Sequence, residues 1–156
     1  MMTNSGFFRL MRGDRVVKEH PTVDDVTKLI EEVSTDTVLG GPPDFCIEYH
    51  STSQKIESPQ AILLMMLTFE NDSAPLWLVL FKRLIPQSRY RVLSKGRASP
   101  SDYVRRSCCG LDSLYRGDTL IDDQILLRKV IAHFLRNHEP SPQLTWIDHD
   151  EAVHDS

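Results

Sequence analysis

Three groups of side chains in this chain have the chemistry to act on a ligand. The first is the adjacent pair Cys108–Cys109, joined by a single further cysteine, Cys46. Thiolates serve redox or zinc chemistry when paired at C-x₂-C spacing, and no Cys-x-x-Cys occurs here, so the reading is structural. The second is the histidine and carboxylate set of the end, "DHDEAVH" (148–154). It is rich in metal-ligand types, but chain ends are where disorder concentrates, so a solvated acidic tail over 148–156 is expected. His133 and His138 lie five apart, the wrong spacing for one helical face. The third is a basic band, Lys82, Arg83, Arg89, Arg91, Lys95, Arg97, Arg105 and Arg106, with Tyr90 and Tyr103 interleaved. Cations and stackable rings in that order suit nucleic acid.

Charge weighs against that third reading. The chain of 156 residues has a net charge of −4, whereas nucleic-acid binders carry a basic excess. The charge is unevenly placed: residues 1–81 are net −6, 82–116 net +7 and 117–156 net −5. A nucleic-acid-binding regulator built on the band is therefore the alternative reading, beside a small enzyme without a signature. No G-x-S-x-G, H-E-x-x-H, Walker loop or G-x-G-x-x-G is present, so no catalytic residue, metal or cofactor is assigned. An odd cysteine count with an adjacent pair fits a reduced, cytoplasmic setting. The longest apolar run, "AILLMML" (61–67), is too short to span a bilayer, and the first residues lack the apolar stretch of a signal peptide.

The elements that must hold these groups follow from periodicity. "GFFRL" and "RVVKE" flank "MRGD" as a short hairpin. "HPTVDDVTKLIEEVS" (20–34) is a helix with Thr22 as N-cap and Asp25 completing a capping box. Val26, Leu29, Ile30 and Val33 form its apolar stripe. "DFCIEYH" (44–50) alternates as a half-buried strand. "AILLMMLTFE" (61–70) and "LWLVLFKRL" (76–84) read as a central antiparallel pair, and "YRVLS" (90–94) adds a strand. Residues 95–118 have no clear period and are expected to be a long irregular connection, followed by a brief strand at "TLI". A second helix is expected from about Asp122 to Asn137, with Leu127, Val130, Ile131, Phe134 and Leu135 inward and Pro140 and Pro142 beyond its end. The predicted fold is α+β, a single domain with a mainly antiparallel sheet of about five to six strands and two amphipathic helices.

Two segments carry a resemblance. "LSKG" (93–96), after an aromatic-bearing strand, is similar to a short signature of one family of bacterial immunity proteins. "PSPQLTW" (140–146) resembles the proline-bounded "PxQLTW"-like ending of the same family, one residue tighter from Pro142 to Trp146. The resemblance is to the first immunity family of polymorphic toxin systems, which accompanies toxins of the nucleic-acid deaminase type. It covers roughly residues 20–147, with the N-terminal stretch and the tail as additions, and implies one domain over 1–147. It implies a non-catalytic protein forming a one-to-one complex with a toxin domain encoded nearby, with no membrane and no nucleic acid as partner. Ser94, Lys95, Gly96, Leu144 and Trp146 belong to the signature and are assigned to structure, Leu144 and Trp146 as an edge strand or lid. The candidate partner-binding residues are Asp24, Asp25, Glu31 and Glu32 on the acidic first helix. Arg97, Asp102 and Tyr103 on the 95–118 segment come next.

Overall fold

The structure, a computed structural model, describes residues 6–38, 42–51, 59–69, 75–84, 86–95, 103–108 and 111–155. It begins with the expected hairpin, β1 (Gly6–Arg12) and β2 (Arg15–Glu19), turned at Gly13, whose φ of 64° is open to glycine without strain. Helix α1 (Val23–Val38) starts at the capping box: the Asp25 N–H donates to Thr22 Oγ1 at 3.2 Å, and the Thr22 N–H donates to Asp25 Oδ2 at 2.9 Å. Strands β3 (Asp44–Ser51), β4 (Ala61–Thr68), β5 (Leu76–Arg83) and β6 (Arg91–Ser94) follow as the alternation predicts.

Within the stretch expected to be irregular, two strands pair antiparallel, β7 (Tyr103–Cys108) and β8 (Leu111–Arg116), while 96–102 and 109–110 lie outside the described residues. The alternation of β7 is hidden because Arg106, an inward position, is a charged residue only 3 % exposed. The guanidinium reaches Thr68, with Nε 2.8 Å from Thr68 Oγ1 and Nη2 3.0 Å from Thr68 O, so its burial is compensated. The expected strand at "TLI" is a 3₁₀ turn (Gly117–Thr119) followed by one bridge between Ile121 and Trp77.

Helix α2 (Gln124–Asn137) is capped by Asp123, which accepts from the Ile125 and Leu126 N–H groups. It ends at His138 in the left-handed conformation, before either proline, with the His138 ring stacked on Tyr49 at 4.0 Å.

The chain end is folded rather than a free tail. β9 (Thr145–Asp148), α3 (His149–Ala152) and β10 (Val153–Asp155) complete it. β10 pairs with β8, and Ala152 is fully buried, which explains why acidic neighbours did not leave this segment in solvent. The N-terminal stretch is part of the same sheet, with β1 between β2 and β3.

The fold is α+β, with ten strands in two antiparallel sheets among the described residues rather than five to six. The larger sheet has the order β2-β1-β3-β4-β5-β6-β9 and the smaller β10-β8-β7. Alternation divides the core. On one face, Phe45, Ile47, Leu63, Met65, Val79 and Phe81 meet the stripes of α1 and α2. On the other, Leu78, Leu80 and Val92 meet Tyr115, Leu120 and Ala152.

Candidate functional site

The two segments quoted for the resemblance lie side by side. β6 and β9 pair antiparallel, with Leu93 opposite Trp146 and Ser94 opposite Thr145. Leu144, in the bend before β9, and Trp146, within it, both pack partly buried against the helix-side core. The indole Nε1 donates to Ser141 O at 3.1 Å, which gives the polar edge of the half-buried ring a partner. Trp146 thus lies in the edge strand β9, while Leu144 sits in the bend that leads into it.

Beside this strand pair is a cleft of about 500 Å³, lined by Ser94, Lys95, Asp118, Asp123, Leu126 and Leu144 with their neighbours. Its floor is a polar network that the sequence reading missed. Asp118, 2 % exposed, accepts from Arg116 Nε at 2.8 Å, Arg116 Nη2 at 2.9 Å and the Ser94 hydroxyl. The Lys95 N–H donates to the Asp118 carbonyl at 2.7 Å. Burial alone pushes the Asp118 carboxyl up, but the hydrogen bonds from Arg116 and Ser94 and the Arg116 charge outweigh it. They hold the group below the usual carboxylate range. The network ties the 3₁₀ turn to β6. It is a structural joint whose acceptors are already satisfied. The signal for it was the Arg-x-Asp spacing of "YRGDT", which places both groups at one turn. Gly96 lies outside the described residues.

The acidic face of α1 divides into engaged and free groups. Asp25 is spent on the capping box, and the backbone hydrogen bond from Thr22 is the first cause of its lowered pKa. Asp24 lies 3.3 Å from Arg128 of α2, an exposed pair that contributes little to stability. Asp36 holds the buried Arg12 guanidinium at 2.9 Å, with Glu32 at 3.9 Å from the same nitrogen and Pro42 O accepting at 3.0 Å. Glu31 and Glu32 remain exposed on the solvent side. Of the second candidate set, Arg97 and Asp102 lie outside the described residues. Tyr103 opens β7, and its hydroxyl donates to Glu151 O at 2.8 Å with His154 Nε2 at 3.0 Å, so it fastens the chain end to the small sheet.

Among the described residues, several members of the basic band are drawn to separate partners. Arg106 is buried on Thr68, Arg83 faces Glu139 at 3.3 Å, and Arg89 lies 3.9 Å from Asp150. Lys82 sits over the Tyr90 ring at 4.8 Å, which occupies that ring face. Cys108 is buried, and Cys109 lies outside the described residues. Burial, then the neighbouring Glu48 and Asp44, push the Cys46 thiol up to about 12. Among the described residues, no three His, Cys, Asp or Glu side chains gather where they could hold a metal ion. No helix among them is long and apolar enough to cross a membrane. Compared with known proteins, the chain matches no family model, no curated protein and no solved structure.

Proposed function

We propose that this chain is an immunity protein that binds and neutralises a cognate bacterial toxin, a nucleic-acid deaminase, by covering its active or substrate-binding surface. It acts in the cytoplasm, in a one-to-one complex, and turns over no substrate itself. The observation that carries the reading is the meeting of the two resembling segments in a single strand pair: Leu93 and Ser94 of "LSKG" end β6, and Thr145 and Trp146 of "QLTW" open β9 opposite them. The two segments lie about 50 residues apart in sequence and are neighbours in the sheet, an arrangement that a common framework would require. The solvent side of α1 supplies a surface suited to a basic partner, because Glu31 and Glu32 are exposed there while the helix is anchored through its opposite stripe.

The test is association with the toxin domain encoded beside this gene. Asp24 and Asp25 are left intact, since one is paired to α2 and the other caps α1. Glu32 is likewise left intact beside the buried Arg12, and Glu31→Lys is expected to slow association at low salt and less at high salt, because exposed charges act through a screened field. An association rate that is unchanged at every salt concentration removes α1 from the interface. Absence of any complex with the neighbouring toxin, or turnover of a substrate by the isolated chain, overturns the function.

A further inference from the structure

A second groove lies across the carboxyl-terminal half of α2, and its lining has one sign of charge. Its volume is about 410 Å³, and Lys129, His133 and Arg136 line it together with Ser141, Gln143 and Leu144. The three basic residues stand at i, i+4 and i+7, so one helical face presents all of them. The left-handed turn at His138 sends the chain back along that face and brings Ser141 and Gln143 into the lining of the same groove. No carboxylate lines the groove. The nearest one in sequence, Glu139, is engaged with Arg83 at 3.3 Å. Among the described residues neither Lys129 nor Arg136 has an ion-pair partner, whereas Arg128, Arg12 and Arg116 all do.

We propose that this groove binds the phosphate group of a nucleotide, as a monoester or as one link of a nucleic-acid backbone. An ammonium, a guanidinium fork, an imidazole, a side-chain amide and a hydroxyl converge there, which is a donor set for a tetrahedral anion rather than for a planar carboxylate alone. The Ser141 oxygen accepts from the Gln143 N–H at 3.3 Å, which sets that hydroxyl's hydrogen free to donate. The groove is larger than an inorganic anion needs, and Leu144 and Ala132 form an apolar wall for the organic part of an ester. The carbonyl end of α2 opposes an anion with about half a charge. Two full positive charges exceed it. The site does not depend on the toxin-binding reading, and it lies outside the basic band that the sequence first offered for nucleic acid.

The test uses the full chain with three probes, inorganic phosphate, adenosine 5′-monophosphate and a short single-stranded RNA, followed by calorimetry and by amide chemical shifts. Adenosine monophosphate is expected to bind, shifting the amides around Lys129, His133 and Arg136, and to weaken with added salt. Lys129→Gln/Arg136→Gln removes two exposed charges without touching the core, and is expected to weaken binding about tenfold or more. Arg105→Gln, an exposed cation on β7, is expected to change nothing. RNA binding more tightly than the mononucleotide assigns the phosphate to nucleic acid, and the reverse order assigns it to a free nucleotide. Binding of none of the probes, wild-type affinity in a folded double variant, or an equal loss in Arg105→Gln overturns the proposal.

Discussion

The Asp118 joint is the strongest test of how this fold is held together. Asp118→Ala removes the acceptor for three donors: Arg116 Nε, Arg116 Nη2 and the Ser94 hydroxyl. Ser94 is 4 % exposed and the Arg116 side chain 15 % exposed, so neither donor gains full hydration in return. Breaking a buried ion pair by deleting one partner costs about 3–5 kcal/mol, and the partial exposure of Arg116 places this case near about 3 kcal/mol. With a urea slope of about 2 kcal/mol/M, the unfolding midpoint should fall by about 1.5 M at unchanged slope. The Asp118 carboxyl also makes the joint pH-dependent. Its folded pKa is lowered from 3.8, so the unfolded chain binds the proton more readily. The stabilisation is therefore complete above the ordinary carboxylate range and is lost as pH falls from 3.8 through the folded value. Asp118→Asn should lose that part of the acid-induced destabilisation while already being less stable at pH 7. A wild-type midpoint at pH 7 in Asp118→Ala refutes the reasoning. So does an Asp118→Asn variant whose stability changes with acid as steeply as that of the parent.

Two further outcomes follow from half-buried groups. Trp146→Ala should cost about 2–3 kcal/mol in urea titration, below the range for a fully buried ring because Trp146 keeps part of its surface in solvent. Trp146→Phe should cost about 1 kcal/mol through loss of the Nε1 hydrogen bond to Ser141 O, and an unchanged midpoint in both variants would place the ring outside the packing. In a Cys108→Ser/Cys109→Ser background, the Cys46 thiol should resist a thiolate-specific reagent at pH 8 in the native state and react fully in urea, because burial pushes it up to about 12. Fast native-state labelling would contradict that burial.

Local pattern alone identifies α1, β3 and α2, which each carry one clean period, and β4 and β5, which are continuous apolar runs bounded by polar turn residues. Thr22 and Asp25 mark the start of α1 by a reciprocal bond that needs no tertiary partner. Val26, Leu29, Ile30 and Val33 announce its buried face four residues at a time. The missing strands failed for a different reason. β7 turns Arg106 inward, and the β10 end carries histidine and aspartate, so neither reads as apolar alternation. The buried charge of Arg106 is tolerated because the fold supplies Thr68 from far away, whereas His154 is exposed and meets the Tyr103 hydroxyl at the surface. The same holds for function. Lys129, His133 and Arg136 at i, i+4 and i+7 of α2 are visible in the sequence, but Ser141 and Gln143 join them only after the left-handed turn at His138 reverses the chain. Periodicity records what one element buries. It carries no information about which distant donor or acceptor will satisfy a buried charge, and that pairing is decided when the sheet closes around it.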